Sequence, residues 1–124
     1  MGYALKKQQK GSGVGYLVRD IIRASKDGDV ELVEKILEAD SSLVNAQEEG
    51  TDLTPLHIAA FQTNFKLAEV LLNVEEIKPR MYDQFKRTPL DLAHVMKNEE
   101  MIVFLRKSTL PPEFSSEIPK PPKP

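Results

Sequence analysis

Residues 51–60 read TDLTPLHIAA, and residues 86–95 read KRTPLDLAHV. Set with Thr54 on Thr88, the two stretches run in register: Pro55 on Pro89, Leu56 on Leu90, His57 on Asp91, Ile58 on Leu92 and Ala59 on Ala93. Self-similarity at a fixed period of this size is the mark of a repeat architecture. Each stretch reads as a helix start. The threonine side chain caps open amides, and the proline takes the first helical position, where its missing N–H costs nothing. The alanines that follow let neighbouring helices approach closely.

A second helix follows in each copy, with apolar residues three and four apart: Leu67, Val70 and Leu71, then Met101, Phe104 and Leu105. A third, more worn copy precedes them without Thr-Pro. Anchored on the small residue four before the turn, Ala24, Ala59 and Ala93 coincide, as do Gly28, Thr63 and Lys97. Leu32, Leu67 and Met101 then align, and so do Ile36, Leu71 and Leu105. No single pair of helices can bury its apolar face alone, and stacking about three copies supplies the missing wall.

The chain has 124 residues, 40% of them hydrophobic and 29% charged, with a net charge of −2 and no cysteine. One modest core is within reach. Disulfide frameworks, thiolate zinc sites and cysteine nucleophiles are excluded together. Neither a secretory signal nor a run of transmembrane length is expected, and Lys6 stands where an N-myristoylation motif at Gly2 wants Ser or Thr. An intracellular setting is the expectation. Residues 1–16, with three lysines and GSGVG, read as a flexible basic lead-in. Residues 108–124 hold six of the nine prolines and read as an extended proline-rich tail. Between them, residues 17–107 carry twelve Lys and Arg against seventeen Asp and Glu, so the organised body is acidic.

These motifs resemble the ankyrin repeat: TPLHIAA, TPLDLA and the DGDVELVEKIL of the first copy. The resemblance implies an all-α fold, a short solenoid of three helix-turn-helix repeats (about 17–49, 50–83 and 84–107) with β-hairpin-like fingers. The fingers cover about Gln47 to Leu53 and Met81 to Arg87. EEGTDL is one residue longer than the usual finger, Asp83 takes the family's finger aspartate position, and Lys86 stands where glycine is common. In the helix-to-helix turn Gly28 keeps the family glycine, but Thr63 and Lys97 do not. Asn64 and Asn98 follow them, and asparagine tolerates a left-handed backbone, so these two are expected to carry the turns at a modest cost in stability. The first copy has no finger before it and reads as an end cap.

Candidate chemistry is sparse. His57 and His94 are the two histidines, and His94 does not repeat the position of His57; Asp91 does. No third or fourth ligand at zinc spacing accompanies them, and no nucleophile is paired with a base, so no metal, cofactor or catalytic residue is expected. The resemblance gives His57 a structural role, bracing the helix start and the neighbouring repeat, beside Thr54, Pro55, Thr88 and Pro89. Asn45 resembles asparagines hydroxylated in some ankyrin repeats; the alternative is a loop side chain bonded to backbone amides.

By the same resemblance the chain is a non-catalytic protein-interaction module, monomeric alone, binding a protein or peptide through finger tips and concave face. The alternative is a spacer array in a larger protein. Position by position, the tips contribute Thr51, Leu53, Gln84, Phe85 and Arg87, and the concave helix ends Phe61, Gln62, Val95 and Met96. Phe61, Phe85, Val95 and Met96 would form an exposed patch of the kind that marks interaction sites, unless Val95 or Met96 packs inward or the tail covers them. KPRMYDQFKR, residues 78–87, interleaves basic residues with aromatics. Single-stranded nucleic acid is one ligand for such a stretch, but four cations on an acidic body make a weak footprint; a solvated finger is the first reading, and if the stretch is a contact surface an acidic peptide suits it better. The tail places Pro119 to Pro122 and Pro121 to Pro124 at polyproline-ligand spacing but lacks a full flanking pattern, so an inert terminus or a linker is the expectation; LPPEF, residues 110–114, could instead fold back on the last helix.

Overall fold

The computed structural model describes residues 15–109. The lead-in and tail readings, apart from their edges, lie outside these residues. Six helices follow in order: α1 Val18–Lys26, α2 Val30–Ala39, α3 Pro55–Gln62, α4 Phe65–Leu72, α5 Pro89–Val95 and α6 Glu99–Thr109. They form three helix-turn-helix pairs. A short 3-10 helix, Ser41–Asn45, unforeseen from the sequence, follows α2. It starts where the Asp40 carboxylate accepts the Ser42 N–H, and it buries Val44 completely. At the edges, Tyr16 packs half-buried against the core, and α6 continues to a buried Thr109.

The aligned positions form the core. Ile36, Leu71 and Leu105 are fully buried, as are Ala59, Ala93, Leu67 and Met101, while Leu32 in the first copy is only half-buried. The first helices stack α1 on α3 on α5, and α2 lies beside α4 in the outer layer. Phe65 and Phe104 continue that layer, edge to face with centroids 5.5 Å apart.

The Thr-Pro starts form as the sequence indicates, with an addition. Thr54 Oγ1 accepts the His57 N–H at 3.2 Å, and His57 Nδ1 accepts the Thr54 N–H at 3.2 Å. In α5 the same exchange runs between Thr88 and Asp91, at 3.1 and 3.0 Å. This is a reciprocal capping box with histidine or aspartate in the slot usually held by Glu or Gln. It explains why Asp91 repeats the position of His57.

The turns correct one expectation. The left-handed residues are Gly28, Thr63 and Lys97, with φ of 71°, 58° and 57°; Asn64 and Asn98 are not left-handed. Asn64 has φ −99° and caps α4, its Oδ1 accepting the Leu67 N–H at 3.0 Å, and Asn98 accepts the Met101 N–H at 3.1 Å. Asp29 does the same for α2 through the Leu32 N–H. A cap must keep a non-helical, negative-φ backbone to aim its oxygen at the third amide. The left-handed kink therefore falls one residue earlier, on whatever residue stands there. Asn98 Nδ2 also donates to Thr63 Oγ1, tying two successive turns.

The fingers also differ from expectation. No strand forms among the described residues; each finger is a turn closed by backbone bonds. In the first, Glu48 N–H donates to Leu53 O at 2.9 Å; in the second, Asp83 N–H donates to Arg87 O at 2.9 Å. The first thus encloses one more residue, as its sequence indicates. It kinks at two positive-φ residues, Gly50 and Asp52, and the second at Lys86 alone.

Candidate functional site

A groove of about 370 Å³ lies chiefly between the second and third repeats. Pro55 and Pro89 start α3 and α5, which pack on one another, and residues at equivalent positions of the two helices line the groove. Phe61 and Ile58 of α3 line it with Val95 and Leu92 of α5, and Leu53 and Met96 join them. Phe61 is 57% exposed, Val95 56% and Met96 44%. Neither Val95 nor Met96 packs inward. His57 and Leu92 also line it and are buried.

Six of the nine residues expected at an interface meet in this groove: Leu53, Phe61, Gln62, Arg87, Val95 and Met96. Two of them also serve the stack. Gln62 Nε2 donates to Lys26 O at 2.7 Å, bridging the first and second repeats. The Arg87 guanidinium donates to Asp83, with Nε–Oδ2 at 2.9 Å, and lies 5.0 Å from the Phe85 ring centroid. Thr51, Gln84 and Phe85 stand on the fingers. The Thr51 hydroxyl is spent within its finger, donating to Glu48 at 2.6 Å and accepting the Leu53 N–H. Phe85 projects, 65% exposed.

Lys26, Ile58 and Leu92 complete the walls and were not singled out from the sequence. The signal was present in the register, which places Lys26, Phe61 and Val95 at equivalent positions, as it does Ile58 and Leu92. Lys26 pairs with Glu48 across the first turn of the array. That bond, with help from Thr51, holds the Glu48 carboxyl below its ordinary range.

Behind the groove, His57 and Asp83 fix the second finger. The Thr54 hydroxyl and N–H both meet His57 Nδ1, so the ring proton sits on Nε2 and donates to Arg87 O at 2.7 Å. Burial lowers the His57 pKa, opposed by that bond to Arg87. The ring is therefore a neutral brace. Asp83 is 3% exposed. Burial pushes its pKa up, but donors from the Arg87 N–H, the Arg87 guanidinium and the Phe85 N–H together hold the carboxyl below the ordinary value.

Asn45 follows the loop reading. Its Nδ2 donates to Glu76 O at 2.9 Å and its Oδ1 accepts the Lys78 N–H at 2.8 Å, spanning two repeats. Among the described residues no group of three or more His, Cys, Asp or Glu could hold a metal ion, and no helix is long and apolar enough to cross a membrane.

Comparison with known proteins gives two findings. The family described as ankyrin repeats (3 copies) matches residues 21–113. An I-Kappa-B like protein H1 of Microplitis demolitor bracovirus (isolate Webb) is 39% identical over 59 residues, covering 48% of this chain and 31% of that relative. The chain thus spans under a third of the relative's length.

Proposed function

Since the chain belongs to the ankyrin-repeat family, whose repeats generally mediate protein–protein interaction, we propose that it is a non-catalytic module whose protein or peptide partner seats an apolar side chain in the groove between α3 and α5. The observation that carries this reading is the exposed wall of Phe61, Val95 and Met96 over buried Leu92. Contiguous apolar surface of this kind is uncommon on a monomer except where something binds it. Aromatic and methionine side chains are also those enriched at interface centres. Thr51, Leu53, Gln62, Gln84, Phe85 and Arg87 frame this wall and complete the contact surface. The setting is intracellular, and no cofactor takes part.

The bracing between repeats favours a second reading, a rigid spacer. Gln84 N–H donates to Thr51 O at 2.9 Å, Gln47 Nε2 donates to Tyr82 O at 3.0 Å, and Asn45 ties two more loops. Affinity capture with the full chain, compared with Phe61→Ala, Val95→Ala and Met96→Ala, separates the two. Exposed truncations of this kind change stability by no more than about 0.5 kcal/mol. Captured proteins lost with each variant support the groove. Capture undiminished in all three, or absent with the wild type, sinks it in favour of the spacer.

A further inference from the structure

The charge of the folded body is unevenly placed. The stretch 78–87 carries Lys78, Arg80, Lys86 and Arg87 against one carboxylate, Asp83. The remainder of residues 17–107 carries eight cations against sixteen carboxylates. Asp83 is buried and paired with Arg87, so that anion is neutralised inside the finger. Lys78, Arg80 and Lys86 are exposed and make no ion pair among the described residues. Tyr82, 58% exposed, and Phe85, 65% exposed, stand between them. Asp83 and His57 hold this finger rigidly beside the apolar groove, which Arg87 also lines. No carboxylate lines the groove.

We propose that the second finger, with Arg80 just before it, is an acidic-peptide clamp: Arg80 and Lys86, with Tyr82 and Phe85 between them, take a run of Asp or Glu that lies next to the partner's apolar anchor in the same chain. This deepens the groove reading and rests on it. Complementary charge at the rim of an apolar site sets partner choice and orientation more than raw affinity. Rigid mounting lowers the ordering cost of each contact. A nucleic acid fits less well, because its continuous charge would run on from one basic finger over a body with a twofold excess of carboxylates.

The test is selection of a random peptide display library on the full chain, on Arg80→Glu/Lys86→Glu and on Phe61→Ala. Both reversed side chains are solvent-exposed, and unchanged thermal unfolding verifies that the double variant folds. On the wild type, apolar consensus residues flanked by Asp and Glu are expected. On the double reversal the same apolar core should return with Lys and Arg beside it, and wild-type-selected peptides should bind about tenfold more weakly. An apolar consensus with no acidic flank, or one unchanged by the reversal, overturns the clamp and leaves the groove standing. No apolar consensus, or one indifferent to Phe61→Ala, overturns the groove and the clamp with it. Tighter retention of a random single-stranded oligonucleotide pool than of any selected peptide overturns the clamp in favour of nucleic acid.

Discussion

His57 Nε2 lies 2.7 Å from the backbone oxygen of Arg87, thirty residues on, so the start of one repeat holds the finger of the next. Arg87 O also accepts the Asp83 N–H at 2.9 Å, making that carbonyl the point where finger and helix meet. His57→Ala removes the ring, leaves the buried Thr54 N–H short of its acceptor and opens a hole behind the groove. A loss of about 3 kcal/mol in urea unfolding is expected from the unpaired amide and the cavity together. A loss below about 1 kcal/mol, the worth of one ordinary hydrogen bond, would mean the brace is dispensable.

The same burial makes stability depend on pH. The folded-state pKa of His57 lies below its ordinary 6.5. Above that value both states are neutral and the stabilisation is complete. As pH falls below it, the unfolded chain takes up a proton before the folded chain does, so stability declines, by at most about 1.4 kcal/mol per pH unit, until the folded histidine titrates too. The gap between wild type and His57→Ala should therefore narrow between about pH 7 and the folded-state value. A gap that stays constant on acidification would show that the ring is not held neutral.

Thr63 and Lys97 sit at φ 58° and 57° with side chains that disfavour that region. A non-glycine residue there costs of order 1 kcal/mol. Lys97→Gly should raise stability by about that amount, because the lysine side chain it removes is exposed. Thr63→Gly should gain less, since it also removes the hydroxyl that accepts Asn98 Nδ2. Chemical denaturation of the two variants gives the comparison. A larger gain at Thr63 than at Lys97 would refute the compensation.

Much of this was legible in the sequence because the fold is written three times. Thr54 and Thr88 mark their helices without tertiary help, since a cap and a first-turn proline act locally. The lengths of the two fingers follow from counting residues. The sequence points to Asn64 and Asn98 for the kink, one residue late, because asparagine suits both a left-handed kink and an N-cap, and which duty wins depends on where the next helix opens. The groove was legible as residues but not as a shape. Phe61 and Val95 line one groove because α3 packs on α5, and Lys26 joins them from the first copy. The duty of Gln62 between repeats depends on a partner 36 residues away, which no local pattern reveals.

Asp83 accepts the Phe85 N–H and the Arg87 N–H, each at 2.9 Å, and the Arg87 guanidinium as well. Asp83→Ala leaves two amides and a guanidinium without an acceptor, and a loss of about 2–3 kcal/mol is expected. Asp83→Asn keeps one carbonyl oxygen for the amides, so it should lose less. Because the folded-state pKa lies below the ordinary 3.8, the wild-type advantage is complete above that value. It declines as pH falls from there toward the folded-state value, because over that range the unfolded chain binds the proton first. Amide exchange at residues 84–87 should quicken in Asp83→Ala before exchange in α3 does. Exchange that quickens equally in both would show that the finger does not open as a separate unit.

In the outer layer, Phe65 at the start of α4 meets Phe104 of α6 edge to face, ring planes 87° apart. Both are half-buried, so each ring contributes area as well as the specific contact. Phe65→Leu and Phe104→Leu each keep most of the apolar volume and lose the ring pairing. A double-mutant cycle should return a coupling of about 1 kcal/mol, the surplus such pairs carry beyond burial. That contact joins the second and third repeats on the convex side while His57 joins them near the fingers. Combining Phe104→Leu with His57→Ala should accordingly be additive, since the two share no partner. Coupling between those two sites as large as that between the rings would mean the repeats separate as one cooperative interface.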